Sequence, residues 1–364
     1  MNTYEKLMKK CIRLAKRAEG KTSPNPLVGC IITNSKGEII SEGYHKKYGE
    51  FHAERNALNK LNNAKDCTLI VNLEPCCHHG KTPPCTDIII EKSVKKVIYG
   101  MKDPNPIVAG KGLEILKKAG IEVVGPVLED ECKNLNEKFI KNKTQNLPFV
   151  AIKTATTIDG KIATSTGNSK WITSEKARNE VYKLRKQYDA ILTSSSTIIA
   201  DNPTMNHQKK IILDRELKTD FENAQIYKQG EIFVFYDENI PLSRISKFRN
   251  AQFEIQPSPS SGEDNIRLIH CPTQDNKLNI DFILKKSFEL GIMSIFVEAG
   301  GGVNNSFLPY SDKLYHFIAP KVLGDNNGKS CFYGETCDFI SDCTNLKFES
   351  VKKFPPDILI TYSK

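Results

Sequence analysis

Three short stretches in the first quarter of the chain constrain it more than any other feature: His52-Ala53-Glu54, Glu74-Pro75-Cys76 and Cys85. His52 opens a helical stretch, residues 52–61. Cys76 stands 24 residues later, just after the strand Thr68 to Leu73. One imidazole and two thiolates make three protein ligands for Zn²⁺, and a catalytic site keeps the fourth position for water. A metal there lowers the pKa of that water toward neutrality. Glu54, two residues from the His, is placed to take a proton from the water and give one to a departing amine.

The general zinc-deaminase pattern is H-x-E followed by P-C-x-x-C. Here eight residues separate Cys76 from Cys85, not two. Cys77, His78 and His79 are extra ligand types in that segment, so a closed structural zinc site is the competing reading. A structural site rarely carries a carboxylate at this position, and four close ligands leave no open coordination position. The catalytic reading is the better one.

The chain is long enough for two domains at 364 residues. Apolar residues make up 39% and charged residues 26%, the balance of an ordinary globular protein. A net charge of +9 reads as a lysine-rich solvated surface, or as attraction to anionic small molecules. No long Lys/Arg run points to nucleic acid. Residues 1–10 lack an apolar signal-peptide core. No stretch approaches the ~20 apolar residues of a membrane helix. The 11 cysteines are odd in number and irregularly spaced, which argues against a disulfide framework and for a cytoplasmic protein with reduced thiols.

Strands and helices alternate through Val124, which argues for a layered α/β domain. Residues 4–18 form a one-faced helix, Val28 to Ile32 and Glu38 to Ile40 two strands, and Glu129 to Lys141 a helical stretch. The polar segment Asn142 to Asn146, followed by Pro148, reads as a linker. It divides the chain into domains 1–145 and 146–364. The second domain opens with the strand Phe149 to Thr154. Thr173 is expected to cap a helix through Gln187. Strands follow at Ala190 to Thr193, Lys210 to Leu213, Ile232 to Phe235 and Ile292 to Val297. Gln256 to Asn265 is a Ser/Pro-rich surface loop.

Ser23-Pro24-Asn25-Pro26-Leu27-Val28-Gly29-Cys30, His52-Ala53-Glu54, the Cys76-to-Cys85 segment with its His78-His79-Gly80-Lys81-Thr82-Pro83-Pro84, and Asp103 through Gly112 resemble the deaminase half of the bifunctional riboflavin-biosynthesis deaminase/reductase family. The resemblance implies a cytidine-deaminase-like α/β/α domain. It implies zinc on His52, Cys76 and Cys85, with Glu54 as the catalytic proton carrier. Asn25 is then a substrate contact, and His78, His79 and Lys81 line the substrate site. Cys77 stands where the family often has Ser and is expected to be a spectator.

The second half carries weaker signals. They are Lys153 with Thr156 to Ala163, Ser169-Lys170-Trp171-Ile172-Thr173, Ser194 to Pro203, and Val297-Glu298-Ala299-Gly300-Gly301-Gly302. A strand running into glycines and a helix start lets bare backbone N–H groups approach an anion, although a tight turn explains a glycine triplet as well. Trp171, the lone Trp, is either packed in the core or stacked on a cofactor. Together these segments resemble the reductase half of the same family, whose fold is similar to dihydrofolate reductase. The resemblance implies NADPH contacts from Thr156, Trp171, Thr197, Asp201 and Gly300, Gly301, Gly302. It implies substrate contacts from Lys153, Ser169, Arg185 and Glu298. Two departures stand out. Met205 to Gln208 replace a segment that often ends in a phosphate-binding Arg, which leaves Lys209 and Lys210 as the nearest cations. Asp214-Arg215 replaces an Asp-Ser pair, and Arg215 is a candidate partner for the 2′-phosphate of NADPH.

The family implies zinc-dependent deamination of 2,5-diamino-6-ribosylamino-4(3H)-pyrimidinone 5′-phosphate, then NADPH-dependent reduction of ribosyl to ribityl. It also implies a homo-oligomer with a small-molecule substrate and no nucleic-acid or membrane partner. The alternatives are a nucleobase or RNA deaminase with a non-catalytic second domain, a zinc-stabilised nucleic-acid-binding protein, and an enzyme whose reductase half has decayed.

Overall fold

In the computed structural model the first helix, α1 (Thr3–Ala15), starts at Asn2. The Asn2 side chain accepts a hydrogen bond from the Glu5 amide while the Glu5 carboxylate accepts one from the Asn2 amide. This reciprocal cap satisfies two orphan donors. Met8, Cys11, Ile12 and Ala15 then form the buried face at helical spacing. The structure describes residues 2–79, 83–106, 108–245, 252–253, 266–334 and 337–364. The chain divides into two units, Met1–Asn146 and Leu147–Lys364.

In the first unit β1 (Gly29–Thr33), β2 (Ile39–Tyr44), β3 (Thr68–Leu73), β4 (Lys96–Met101) and β5 (Glu122–Val124) make one sheet in the order β2-β1-β3-β4-β5. β1 is antiparallel to β2 and β3, and β3, β4 and β5 are parallel. A Cβ on Gly29 would meet the Cys11 carbonyl oxygen of α1 at 2.2 Å. One on Gly43 would meet the Ala53 carbonyl oxygen of α2 (Ala53–Leu58) at 2.4 Å. Both helices therefore pack at a distance only glycine allows. Gly43 pairs with Cys30, the neighbour of Gly29. Paired residues share a face and successive ones alternate, so α1 and α2 cover opposite faces.

The unit is completed by α3 (Cys85–Glu91), α4 (Lys111–Lys118), α5 (Glu129–Leu135) and α6 (Glu137–Gln145). The expected helical stretch 129–141 is thus two helices. The break is at Asn136, whose buried amide exchanges hydrogen bonds with both the N–H and the carbonyl of Leu27. The expected linker is not a linker. α6 runs through Gln145 and buries Asn142, a case of tertiary contacts overriding polar composition.

The second unit contains β6 (Phe149–Thr156), β7 (Lys161–Ala163), α7 (Glu175–Arg185), β8 (Ala190–Ser194), α8 (Ser195–Asp201), β9 (Lys209–Leu213), β10 (Glu231–Asp237) and α9 (Leu242–Ile245). There follow β11 (Gln252–Phe253), β12 (Ile266–Cys271), β13 (Thr273–Gln274), β14 (Lys277–Leu278), α10 (Ile280–Glu289), β15 (Ser294–Val297) and α11 (Gly301–Phe307). The last elements are β16 (Lys313–Ile318), β17 (Lys329–Ser330), β18 (Lys347–Phe354) and β19 (Asp357–Ser363). The main sheet has the order β11-β12-β10-β9-β8-β15-β6-β16-β19-β18. Pairing is parallel from β11 to β16 and antiparallel at β19 and β18.

β6 shows why the parallel part is central. Val150 and Ile152 enter one apolar core, Phe149 and Ala151 another, so both faces are buried. β15, late in the chain, inserts between the early strands β8 and β6. Ligands of such sheets gather at the carboxyl ends of strands where the order switches. The cap of α7 is Ser174, which accepts from the Ala177 amide at 3.3 Å, and not Thr173; the helix stops at Arg185, short of Gln187. The expected loop Gln256 to Asn265 lies outside the described residues. The strands after Gly302 carried no expectation.

Candidate active sites

His52 is the residue just before α2, Cys76 follows β3, and Cys85 is the first residue of α3. Their ligand atoms all lie within 4.8 Å of one another. His52 Nδ1 stands 3.4 Å from both Cys76 Sγ and Cys85 Sγ. Tetrahedral zinc with ordinary Zn–S and Zn–N bonds spaces such N and S atoms about 3.5 Å apart, so the donor set fits the ion in kind and in spacing. The Cys76 carbonyl accepts from the Cys85 and Thr86 amides at 3.0 and 3.2 Å, which seats Cys76 at the α3 N-terminus. Helix N-termini favour thiolates. The Cys76 thiol is pulled down to about 4, first by its hydrogen bond with Cys85 and also by His52.

Glu54 lies in the first turn of α2 and is buried. Burial, and then the charge of Cys76, push its carboxyl up to about 7. Cys77 does not join the ligand cluster, and burial raises its thiol pKa. His78 and His79 are exposed, and Lys81 lies outside the described residues.

Asn25 reaches this cluster through a residue the sequence did not single out. Its Nδ2 lies 3.2 Å from His45 Nε2, and His45 Nδ1 lies 3.1 Å from the Phe51 carbonyl oxygen. A carbonyl only accepts, so Nδ1 carries the proton and Nε2 accepts from Asn25. Burial lowers the pKa of His45 and favours that neutral form. The His45 ring meets the His52 ring edge-on at 5.4 Å. No spacing signal in the sequence announces His45.

In the second unit Lys153, Arg185 and Glu298 come together. Arg185 donates from Nη2 to Glu298 Oε2 at 3.0 Å and from Nε to Oε1, and Lys153 Nζ stands 3.5 Å from Oε2. Burial acts to raise the Glu298 carboxyl, but Lys153 and Arg185 prevail and hold it below its ordinary range. The Arg185 fork, expected to meet substrate, is turned on a protein carboxylate.

Thr156 ends β6 fully buried, and its hydroxyl has no hydrogen-bond partner among the described residues. Gly300 precedes α11, with open space where a Cβ would stand. A Cβ on Gly301 would meet the Ser330 carbonyl oxygen at 2.2 Å, and one on Gly302 the Tyr333 ring at 3.3 Å. Only Gly300 of the triplet therefore faces open room. An orphan hydroxyl and a bare backbone at the carboxyl ends of the paired strands β6 and β15 suit a nucleotide cofactor.

Trp171 is 63% exposed, with the Arg178 guanidinium 4.4 Å from its ring centroid. That rules out a core role and leaves the indole accessible. Its carbonyl accepts from Lys321 Nζ at 2.7 Å. Ser169 is half-buried two residues earlier. Thr197 Oγ1 lies 3.4 Å from Ser194 Oγ, and Asp201 ends α8 exposed. Lys210 is not an available phosphate contact: it is buried, with Nζ donating to the Ile226 and Gln229 carbonyls at 2.7 Å each. Arg215 donates to Glu216 and to Asn276, so its charge is partly met within the protein.

Residues 1–101 match the cytidine and deoxycytidylate deaminase zinc-binding region, and residues 148–360 match the RibD C-terminal domain. The riboflavin biosynthesis protein RibD of Actinobacillus pleuropneumoniae is 39% identical over 98% of this chain and 94% of its own length. The chain belongs to the RibD family. Escherichia coli RibD is 35% identical, with 98% of each chain covered. A solved structure from Thermotoga maritima, a diaminohydroxyphosphoribosylaminopyrimidine deaminase/5-amino-6-(5-phosphoribosylamino)uracil reductase, is 36% identical. It superposes with a TM-score of 0.84 over 99% of this chain and 98% of its own. As a RibD protein the chain is a bifunctional enzyme, a zinc-dependent deaminase joined to an NADPH-dependent reductase, acting on a small molecule. No helix among the described residues is long and apolar enough to cross a membrane.

Proposed function

We propose that this chain removes the 2-amino group of 2,5-diamino-6-ribosylamino-4(3H)-pyrimidinone 5′-phosphate and then reduces the ribosyl group to ribityl. The observation that carries the reading is the meeting of His52, Cys76 and Cys85 beside buried Glu54. These three residues would hold zinc, which when bound supplies Lewis acidity that activates water. Water adds its oxygen to the amidine carbon, the C–N bond breaks, and ammonia leaves. Glu54 takes the proton from the water and delivers it to the leaving nitrogen. Asn25, fixed by His45, is left with its carbonyl oxygen to orient the pyrimidine.

In the second unit Thr156, Trp171, Thr197, Asp201 and the turn at Gly300 would hold NADPH, which supplies hydride. Reduction needs an electrophilic carbon, so the ribosyl C–O ring bond opens first, with the amine proton passing to the ring oxygen. After hydride reaches that carbon, the nitrogen takes one proton. Lys153, held by Glu298, is the side chain that relays protons there. Arg185 anchors Glu298, and Ser169 adds a hydroxyl to the substrate side.

Cytoplasmic location and homo-oligomeric assembly belong to the same proposal. All 11 cysteines are free, as a reducing compartment requires. β18 leaves an eight-residue sheet edge with Phe348 and Val351 exposed, and such edges are usually covered. Sedimentation as a monomer at micromolar concentration would overturn the assembly.

The central test supplies the diaminopyrimidine with NADPH and follows ammonia and NADPH oxidation in wild type and Glu54→Gln. Wild type does both. The variant loses both and oxidises NADPH again when given the deaminated intermediate. Wild-type protein loaded with zinc that releases no ammonia sinks the first step. Ammonia without NADPH oxidation, even from the intermediate, sinks the second.

A further inference from the structure

Glu74 stands two residues before the ligand Cys76 at the end of β3 and is buried. Its carboxylate accepts three backbone hydrogen bonds from one distant segment. Oε2 accepts from the Asp103 amide at 3.1 Å and the Gly110 amide at 2.9 Å, and Oε1 accepts from the Gly112 amide at 3.0 Å. Gly110, in the left-handed region at φ 82°, offers no side chain to cap α4, and Glu74 takes that place. Contact is close enough that a Cβ on Gly112 would lie 2.2 Å from the Pro75 carbonyl oxygen. Asp103, Gly110 and Gly112 are thus all fastened to Glu74, and Gly112 packs on Pro75, the residue before Cys76. Asp103 in turn lies within the electrostatic reach of His78, from the segment that joins the two thiolate ligands.

One strand end therefore serves two loops. Asn72, two residues before Glu74 and also buried, accepts from the Gly29 amide at 2.7 Å and donates to the Leu27 carbonyl at 2.9 Å. It fixes the loop that carries Asn25 on the β1 side, while Glu74 fixes the loop after β4. Asn72, inside β3, and Glu74, just after it, thus fix the chain on either side of the ligand strand, next to the metal ligand Cys76.

We propose that Glu74 is a positioning residue of the deaminase site: through the amides of Asp103, Gly110 and Gly112 it holds residues 103–106 and 108–112 as a wall of the substrate pocket, and it does not itself touch the metal or the reacting carbon. The proposal rests on the deaminase reading above. Two measurements separate their failures. Amide hydrogen exchange needs no substrate: in wild type the Asp103, Gly110 and Gly112 amides are protected, and Glu74→Gln, which keeps a single acceptor oxygen, loses protection either at Gly112 or at Asp103 and Gly110 together. Kinetics of ammonia release then show KM for the diaminopyrimidine raised about tenfold with kcat within about threefold. Zinc stoichiometry stays at one per chain, and NADPH oxidation from the deaminated intermediate is unchanged. Gly110→Ala strains the same loop without altering the carboxylate and raises KM by a smaller factor, about threefold; it stands in should Glu74→Gln not fold. Unchanged amide protection, or lost zinc with a fallen kcat at constant KM, overturns the proposal. Absence of ammonia release in wild type overturns the deaminase reading instead and leaves the exchange result standing.

Discussion

The two sites of this chain are built on opposite plans. In the first unit the candidate metal-ligating atoms come from a short span, with His52 and Cys85 only 33 residues apart. In the second, the Arg185–Glu298 pair alone bridges 113 residues. A metal ion accepts few donor types at fixed distances, so its site is written in side chains whose identity cannot drift. A nucleotide cradle is made largely of backbone, strand ends and one open glycine, and many sequences supply those.

The comparison breaks most sharply on metal removal. A chelator that strips zinc should lower ammonia release by at least about 100-fold, since Lewis acidity is worth several kcal/mol at the transition state. NADPH oxidation from the deaminated intermediate should continue. Loss of both activities together would show that the second unit depends on the first, and that the plans are not separate.

The next effect lies inside the second unit. Arg185→Met leaves the buried Glu298 carboxylate with Lys153 alone, and breaking a buried pair costs about 3–5 kcal/mol. The triple variant Lys153→Met/Arg185→Met/Glu298→Leu should recover part of that loss, because it removes all three charges together and leaves none without a partner. Urea midpoints of both variants decide it. An Arg185→Met midpoint equal to wild type would mean the fork is free for substrate after all.

The same triad sets an acid limit. Glu298 has a lowered pKa in the folded state, so its contribution is fully present above the unfolded carboxyl value of about 4.3 and is lost as pH falls through the lower folded value. Wild-type stability should fall more steeply below about pH 4 than that of Glu298→Gln, which has no such proton to take up. Parallel slopes in the two proteins would remove Glu298 from the acid response.

Legibility in the sequence follows the same divide. The candidate zinc donors and Glu54 stood out because the chemistry restricts residue type and spacing together, and the structure places the ligand atoms of His52, Cys76 and Cys85 within 4.8 Å of one another. Asn25 was legible as part of a motif, but His45, which orients it, was not, because a neutral imidazole accepting from an amide leaves no spacing signature. Asn136 and Asn142 were misread as parts of a plain helix and a linker, since a polar side chain that bonds to distant backbone, as Asn136 does, or that is buried, as Asn142 is, looks solvated from sequence alone. Lys210, named only as one of the nearest cations, could not be placed for a related reason. A lysine that donates to two carbonyls deep inside the unit cannot be told from a surface lysine by its neighbours.

Trp171 sharpens the comparison at smaller scale. An indole this exposed contributes little to folding, so Trp171→Ala should shift stability by less than about 0.5 kcal/mol. If it stacks on the cofactor, KM for NADPH should rise about tenfold, the equivalent of roughly 1.4 kcal/mol of aromatic contact. Ammonia release should not change. A constant KM for NADPH would free Trp171 from the cofactor and leave its bond from Lys321 as a loop tether.

Thr156 gives the smallest effect and the most pointed one, because its two consequences have opposite signs. The hydroxyl is buried with no hydrogen-bond partner among the described residues, and an unsatisfied buried group is destabilising. Thr156→Val removes that group while keeping the branched shape, so the cofactor-free protein should be equally stable or more stable by about 1 kcal/mol. If NADPH supplies the missing partner, the same change removes a hydrogen bond from the complex, and affinity should drop about two- to tenfold. Thermal unfolding with and without saturating NADPH reads both signs in one experiment: the variant should start higher and gain less from the cofactor. A variant that starts lower than wild type would mean that the hydroxyl already has a partner in solution, a bound water included. Equal gains from NADPH in the two proteins would move the cofactor off the end of β6, and with it the reading of the second site as a cradle made of strand ends.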